Sequence, residues 1–348
     1  MTTATATPTP PAAAIARRPA AVRVTWIAAG VVALVVASAL SLAVGTRVVS
    51  LDEVAAGLAG DLDTVGAAAV AARIPRTVLA VLVGAALALS GTTLQAVTRN
   101  PLADPGILGL SMGASLAVVT GMAFLGLSNP VVVLVVAIVG SAAAGVFVYA
   151  IGSLGRDGAT PLKLALAGAA TTAALGSLVS AVMLPRAQEL TSFRFWQIGG
   201  VGGAAWDRIA LVAPAFGVGA LIVVALARGM NSLALGDDVA TGLGEHVGRT
   251  RALSAAGAVI LCGAATAIAG PIGFVGLIVP HLCRLLVGTD HRWLLPLTAV
   301  VGAVLLTAAD VVGRVIARPD EVEVGIVTAL IGAPVFIALA RRKKVREL

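Results

Sequence analysis

Apolar runs long enough to cross a bilayer recur along the whole of this chain. Runs of about 17 to 25 residues, bounded by charged residues or by Pro and Gly, are typical of membrane-spanning helices. Such runs lie near residues 24–44, 77–97, 106–126, 130–152, 162–184, 208–228, 252–270, 272–288, 293–315 and 324–340. The sequence therefore predicts an all-α polytopic membrane protein with about ten transmembrane helices.

The composition supports a membrane protein. Hydrophobic residues make up 59% of the 348 residues and charged residues 12%, whereas a soluble domain has about half apolar and about a quarter charged residues. The 40 glycines and the abundant alanines suit helices that pack closely through small residues. Cys262 and Cys283 lie in apolar segments without ligand spacing, and we interpret them as small buried hydrophobic residues.

The N-terminus differs from the rest of the chain. Residues 1–22 are mostly Ala, Thr and Pro with a few arginines, which predicts a disordered cytoplasmic tail before a membrane domain at 23–348. The first apolar run is longer than a signal-peptide core, so we interpret it as a retained span, with a cleaved signal as the alternative.

Basic residues predict the orientation of the spans. Both termini and the loops around 99, 156, 228–251 and 284–292 share one face with 16 of the 24 Lys and Arg. The richer face is predicted to be cytoplasmic, with both termini inside. The outward face then carries Arg47, Arg73, Arg76, Arg186, Arg194, Arg208, Arg314 and Arg318.

A weak internal repeat fits this orientation. Gly84–Gly91 and Gly263–Gly270 share the pattern Gly-Ala-Ala-x-Ala-x-x-Gly, and the same offset pairs Pro101 with Pro280. Five predicted spans separate the two copies, so they would run in opposite directions. Inverted repeats of this kind are a transporter architecture.

Charged residues inside or beside spans are candidates for function. Arg73 and Arg76 open the second apolar run, and paired guanidinium groups at a membrane edge are expected to face water or a partner. Asp310 is the one acid predicted well inside a span. It is either a proton or coupling-ion site, or a structural partner of Arg314 one turn on.

Two loops differ in composition from the apolar runs around them. The inner stretch 230–250 has Asp237 and Asp238, which could cap a short helix with Val239 and Leu243 on one face. This helix is either a docking surface or a solvated connector. The outer loop 191–206 combines Phe and Trp with paired glycines, so it is either an interfacial anchor or a re-entrant plug.

No catalytic or metal-binding constellation is visible in the sequence. His246, His281 and His291 do not form a metal-spaced cluster, and no lysine follows a Gly-rich loop of the Walker type. We therefore predict no enzyme activity, no cofactor and no nucleic-acid partner. If ATP drives transport, another chain must hydrolyse it.

The chain resembles the FecCD family, the permeases of iron-siderophore and vitamin B12 ABC importers, from about residue 25 to 345. The residues that carry this resemblance are Arg73-Ile-Pro-Arg76, Ser90-Gly91 with Gln95, Asn100-Pro-Leu-Ala-x-Pro105, Gly109 with Gly113-Ala114, Trp196 with Gly199-Gly200, Leu233-Ala-Leu-Gly236, Gly273-Phe-Val-Gly-Leu-Ile-Val-Pro-His281, Asp290-His-Arg292, Asp310 and Gly332-Ala-Pro-x-Phe336. The resemblance implies a type II importer in the bacterial plasma membrane. Two permease chains, identical or paralogous, would bind an ATP-hydrolysing dimer inside and a substrate-binding protein outside.

The resemblance also implies roles for individual residues. Arg73, Arg76 and Arg314 match arginines that grip acidic residues of the binding protein. The residues matched to the loop that enters the ATPase are Asn231, Leu233, Leu235, Gly236, Asp237, Asp238, Leu243 and Gly244. Those matched to the outer gate are Trp196, Gly199, Gly200, Gly202 and Gly203. At the inner gate the vitamin B12 relative has several hydroxylated residues, and in this chain only Thr160 keeps a hydroxyl near that place.

We therefore predict the permease subunit of an ABC importer that moves a ferric siderophore by alternating access. A cobalamin or haem importer is the nearest alternative. An ion-coupled secondary carrier is a rival that would transport alone. An intramembrane enzyme is a further rival, but the sequence has no paired acids, histidine cluster or nucleophile site that such an enzyme would use.

Overall fold

The protein is an all-helical bundle. The computed structural model describes residues 19–154, 160–186 and 196–341, and these ranges contain no β-strand. The helices are α1 (Ala20–Ala43), α2 (Leu51–Ala59), α3 (Val65–Thr98), α4 (Leu110–Leu125), α5 (Pro130–Gly152), α6 (Pro161–Met183), α7 (Trp206–Ala225), α8 (Ala227–Leu233), α9 (Asp237–Gly242), α10 (Val247–Ala269), α11 (Val275–Val287), α12 (His291–Ile316) and α13 (Val324–Arg341).

All ten predicted runs coincide with helices, so the all-α membrane fold is confirmed. The helices α1, α3, α5, α6, α7, α10 and α12 are long and apolar enough to cross a membrane. The helices α4 and α11 and the apolar part of α13, Val324–Ala338, are shorter. The short helices α2, α8 and α9 lie between the predicted runs.

The boundary of α1 corrects the predicted tail. The helix begins at Ala20, so residues 20–22 are helical rather than part of a disordered segment. Residues 1–18 lie outside the described part of the chain, as do residues 155–159, 187–195 and 342–348.

The central helix α3 is much longer than predicted. It has 34 residues and begins at Val65 rather than near residue 77, with the Thr64 side chain accepting a hydrogen bond from the Ala67 N–H at 3.1 Å. At 1.5 Å per residue it is about 51 Å long, against about 30 Å of hydrocarbon. Its first third, which holds Arg73 and Arg76, can therefore extend beyond the hydrocarbon.

Glycines allow α3 to approach its neighbours closely. A Cβ added at Gly84 would overlap the carbonyl group of Gly302 on α12, and one added at Gly91 would overlap the backbone of Gly276 on α11. Such small-residue contacts are the usual means by which membrane helices associate. The backbones of α3, α11 and α12 therefore pack closely together. Cys283 on α11 and Cys262 on α10 are both buried and free, as predicted.

The eighth predicted span is a half-length helix. The chain leaves α10 at Gly270, whose φ is +71°, and α11 starts after Phe274, whose φ is +68°. The resulting helix has 13 residues and begins beside Gly91, in the last third of α3. The predicted span 272–288 therefore crosses only part of the bundle.

The connection between α3 and α4 is buried in the bundle. The helix α4 begins at Leu110 rather than at the predicted residue 106, because residues 99–109 form a folded loop. Asp104 in this loop is 3% exposed, and its Oδ1 accepts hydrogen bonds from the Gly106 N–H at 2.8 Å and the Ile107 N–H at 3.4 Å. Burial raises the pKa of Asp104 to about 6, although these hydrogen bonds oppose the shift.

The bundle has two ends, named here after a residue at each. The Arg76 end holds the start of α3 and the end of α12, while the Asp237 end holds the end of α3 and the start of α10. The other end of α10 reaches the Arg76 end, where the Ala269 carbonyl accepts from the Gly200 N–H at 2.8 Å. The two copies of the weak repeat, in α3 and α10, thus run in opposite directions, as predicted.

Candidate functional site

At the Arg76 end, one guanidinium group is shared between two acids. The Arg76 Nε donates to both carboxylate oxygens of Asp310 at 3.1 Å, and its Nη2 donates to Asp310 Oδ1 at 2.9 Å. The Arg76 Nη1 donates to Glu321 Oε2 at 2.6 Å. The planar guanidinium matches a carboxylate bidentately, which makes the Asp310 pair the more specific of the two.

Arg314 completes the Asp310 site from the opposite side. Its Nε lies 3.1 Å from Asp310 Oδ2, and both side chains are 2% exposed. Its Nη1 and Nη2 donate to the carbonyl and the hydroxyl of Ser41, at 2.9 and 2.7 Å. The structural alternative predicted for Asp310, pairing with Arg314 one turn on, is confirmed, and Arg76 is a second partner that the sequence did not indicate.

Arg73 holds the segment that follows α1. Its Nη1 donates to the carbonyl of Leu42 at 2.8 Å, and its Nη2 donates to the carbonyl of Arg47 at 2.8 Å. The side chain is buried against Gly45, and the residue is 7% exposed. Arg73 therefore satisfies the carbonyl groups at the end of a membrane helix, which otherwise have no partner.

The three arginines predicted to dock a partner thus lie together but mostly face inward. Arg73 and Arg314 are buried, and Arg76, with a side chain 13% exposed, is the most accessible of the three. The acid that faces solvent beside them is Glu321, whose side chain is 37% exposed. Sequence reasoning missed Glu321, although the run Asp320-Glu-Val-Glu323 beside Arg318 is a signal of a charged loop.

The segment 196–203, predicted to lie at the outer gate, packs between α10 and α13 at the same end. The Trp196 Nε1 donates to the Ala267 carbonyl at 3.2 Å, and the Gly199 carbonyl accepts from the Gly325 N–H at 2.9 Å. Gly199 has a φ of +85°, a conformation that a residue without Cβ adopts readily. Gly202 and Gly203 are exposed, and residues 191–195 of the predicted loop lie outside the described residues.

Glu323 lies between this segment and the loop that contacts Arg76. A Cβ at Gly200 would overlap the Glu323 carboxylate, so the two residues are in close contact. Burial raises the pKa of Glu323, while Arg76 lowers it. The loop Glu321–Glu323 therefore contacts Arg76 at one residue and the gate segment at another.

At the Asp237 end, one carboxylate ties a short helix to the bundle. Asp237 accepts a hydrogen bond from Arg99 Nη2 at the end of α3 and another from Arg251 Nη2 on α10, the latter at 3.0 Å. The predicted capping role is wrong, because the N-cap of α9 is Gly236 and no side chain caps it. The carboxylate of Asp237 is engaged by the two arginines instead.

Other residues of the predicted coupling stretch bind it to the bundle through hydrogen bonds. The Asn231 Nδ2 donates to Asp290 Oδ1 at 2.8 Å, and the Asn231 Oδ1 accepts from the His291 N–H at 2.9 Å. Leu233 is fully buried, and its carbonyl accepts from Arg99 Nε at 2.8 Å. Hydrogen bonds, first of all from Arg292, lower the pKa of Asp290 to about 2.

The outer surface of this stretch is apolar. Leu235, Val239 and Leu243 are 59%, 52% and 65% exposed, and they recur every fourth residue. Gly236 and Gly244, with φ of +105° and +82°, bracket the exposed helix. An apolar row on a short helix and its two flanks, beside the exposed Asp238, is typical of a protein interface.

Thr160 serves as a helix cap. Its hydroxyl oxygen accepts from the Lys163 N–H at 3.3 Å at the start of α6. This contact accounts for the hydroxyl, and its predicted role at an inner gate stays a prediction.

Comparison with known proteins extends over nearly the whole chain. The profile of the FecCD transport family matches residues 33–342. The probable siderophore transport system permease YfiZ of Bacillus subtilis is 45% identical over 270 residues, 78% of this chain and 81% of the relative. The ferric enterobactin permease FepD of Escherichia coli is 42% identical over 311 residues, 89% of this chain and 93% of the relative. Further relatives are named for the import of cobalamin and for the transport of hemin.

A solved structure has the same fold. It is the inward-facing conformation of a transporter assigned to the metal-chelate type of ABC transporters, with a TM-score of 0.77 and 30% sequence identity. The similarity covers 92% of this chain and 99% of the other.

Proposed function

The chain belongs to the FecCD transport family, and we propose that it is the permease subunit of a type II ABC importer that carries a ferric siderophore into the cell. The names of its relatives support an iron chelate as cargo, with cobalamin and haem as the alternatives. In this function the chain supplies the pathway, and separate subunits hydrolyse ATP and capture the substrate. Both termini are proposed to lie in the cytoplasm of a bacterial cell.

The observation that carries the proposal is the apolar row at Leu235, Val239 and Leu243. Three large apolar side chains exposed close together along the chain favour contact with another protein. Their helix is held to α3 and α10 through Asp237, so a force on the row reaches two long helices. These features suit a surface on which an ATP-hydrolysing subunit docks and moves the bundle.

We propose that the binding protein docks at the opposite end, around Arg76. Arg76 is the most accessible of the three matched arginines and can meet a carboxylate of the partner. Arg73 and Arg314 hold the segment 41–47 behind it through hydrogen bonds to backbone carbonyl groups. In this arrangement all three arginines contribute to docking, one by contact and two by position.

Transport by the reconstituted complex tests the function. The permease is placed in liposomes with its ATPase subunit and binding protein, and uptake of ferric siderophore, haem and cobalamin is measured separately. We expect ATP-dependent uptake of a ferric siderophore that stops when the ATPase or the binding protein is omitted. Uptake by the permease alone that an uncoupler abolishes would instead identify a secondary carrier.

The inner surface is tested by Leu243→Asp. This side chain is 65% exposed, so the change should leave the bundle folded and prevent the ATPase subunit from co-purifying. Leu62→Asp is the matched control, because Leu62 is 57% exposed at the Arg76 end. Equal co-purification of the ATPase with the two variants would remove the apolar row from the proposal.

The outer surface is tested by Arg76→Gln. Loss of the charge should weaken docking of the binding protein by about tenfold or more. Arg47→Gln is the control, since Arg47 is exposed at the same end and its side chain forms no hydrogen bond with any residue that the structure describes. If both variants bind the partner like the wild type, Arg76 is not a docking residue.

A further inference from the structure

The two acids that share Arg76 differ in how firmly they are held. Asp310 is 2% exposed and receives three hydrogen bonds from Arg76, together with the Arg314 Nε at 3.1 Å. Its removal would leave two guanidinium groups in a buried site without their partner, which is strongly unfavourable. Glu321 makes one contact with Arg76, and its side chain is 37% exposed.

The Glu321 pair contributes little stability, because water solvates the exposed Glu321 carboxylate when it leaves, and Arg76 stays paired with Asp310. Glu321 is therefore the acid that can leave Arg76, while Asp310 stays. The Arg76 Nη1 that Glu321 occupies is also the donor on the side of the guanidinium away from Asp310. A carboxylate arriving from solvent would meet the position that Glu321 fills.

We propose that Glu321 is an internal competitor for Arg76, and that a carboxylate on the docking binding protein displaces it. The inference rests on the docking role of Arg76 proposed above and adds a second residue to that surface. Glu321 occupies Arg76 when the partner is absent and is released when the partner's acid takes its place. Docking then exchanges one carboxylate for another without leaving the Arg76 Nη1 donor unpaired.

The exchange has a route to the gate segment 196–203. Two residues after Glu321, Glu323 lies against Gly200, and the Gly325 N–H donates to the Gly199 carbonyl at 2.9 Å. Between them, the Val322 N–H donates to the Gly313 carbonyl at 3.0 Å, which ties the loop to α12. Release of Glu321 therefore frees one side of a loop whose other side packs on the gate segment.

Glu321→Gln tests the competition, with Asp320→Asn as the matched control. Both changes remove one negative charge from the same loop, but Asp320 is exposed and forms no ion pair with Arg76 or any other residue in the described ranges. Affinity for the binding protein is measured on the reconstituted importer. We expect Glu321→Gln to bind about three- to fivefold more tightly than Asp320→Asn.

The combination with Arg76→Gln separates this inference from the docking proposal. The gain from Glu321→Gln should disappear in the double variant, because the competition requires Arg76. If Glu321→Gln and Asp320→Asn bind equally while Arg76→Gln weakens binding, the competition is overturned and the docking role of Arg76 stands. If Arg76→Gln binds normally, both proposals fail.

Spin labels test the route to the gate. Gly203→Cys and Arg47→Cys place labels at two exposed positions, and the native Cys262 and Cys283 are fully buried. We expect the label distance in Glu321→Gln, without the binding protein, to shift toward its value in the docked wild type. A distance that changes on docking but is the same in Glu321→Gln and the undocked wild type would overturn this route.

Discussion

Arg76 and Asp310 lie 234 residues apart in the sequence and form a bidentate pair, with the Arg76 Nη2 2.9 Å from Asp310 Oδ1. The pair joins α3 to α12 at the end of the bundle where the docking surface is proposed. Arg314 shares the same carboxylate, so Asp310 is the buried counterion of both guanidinium groups. The stability of this end therefore depends strongly on Asp310.

Asp310→Asn should destabilise the folded permease. An asparagine keeps the size of the side chain but leaves Arg76 and Arg314 without their buried counterion, which costs about 3 to 5 kcal/mol. Thermal unfolding in detergent should show a clearly lower Tm, whereas Asp320→Asn should leave the Tm unchanged. An unchanged Tm in Asp310→Asn would show that water or lipid headgroups solvate this site.

Close helix contacts should make two glycines intolerant of alanine. A methyl group at Gly84 or at Gly302 would overlap the facing backbone, and forcing apart α3 and α12 costs about 1 to 3 kcal/mol. Gly176 on α6 is the control, because an added Cβ meets no atom within 4 Å among the described residues. Gly176→Ala should be neutral or stabilising, and equal Tm values for the three variants would contradict the close packing.

Asp237 and Asp238 should differ in their effect on coupling although they are neighbours. Asp237 holds α9 through Arg99 and Arg251, whereas Asp238 is exposed and has no ion pair within the described part of the chain. Because each partly exposed pair contributes about 1 kcal/mol or less, Asp237→Asn should weaken ATPase assembly by about two- to fivefold. Asp238→Asn should change it less, as measured by titration of the ATPase subunit.

A larger effect from Asp238→Asn than from Asp237→Asn would mean that Asp238 contacts the ATPase directly. The anchoring by Asp237 would then contribute little to assembly.

Asp104 should make stability depend on pH. Its folded-state pKa of about 6 lies above the ordinary value of 3.8, so the folded protein binds this proton more tightly than the unfolded chain. The free energy of unfolding should therefore fall as the pH rises from about 4 to about 6 and be constant above that range. Denaturant unfolding at a series of pH values measures this dependence.

Asp104→Asn should remove this pH dependence. The amide oxygen can still accept from the Gly106 and Ile107 N–H groups, so the loop should keep its fold. Asp104→Ala removes the acceptor as well and should lower stability at every pH by about 1 to 3 kcal/mol. The same slope in Asp104→Asn as in the wild type would assign the pH dependence to another group.

The helices were predictable because the bilayer restricts the choices of the chain. A backbone in hydrocarbon must satisfy its own hydrogen bonds, so each long apolar run has to be helical. The lengths were less predictable, since the helix α3 begins at Val65, well before the apolar run that starts near residue 77. The half-length of α11 follows from backbone conformation at Gly270 and Phe274, which hydropathy does not report.

The candidate site was predictable in its residues and not in its contacts. Arg73, Arg76 and Arg314 stood out because charge is rare in spans, and the structure brings them together. Glu321 did not stand out, because an acid in an outer loop is common.

The sequence by itself determined the class of the protein, the ten apolar helical runs and the family, since these follow from local hydropathy and from motifs read along the chain. Only the tertiary structure decided that Arg76 is shared by Asp310 and Glu321, and that Asp237 binds Arg99 and Arg251. The physical reason is distance along the chain: partners that lie many residues apart meet only after the helices pack, and glycine contacts in α3 set how closely they do so.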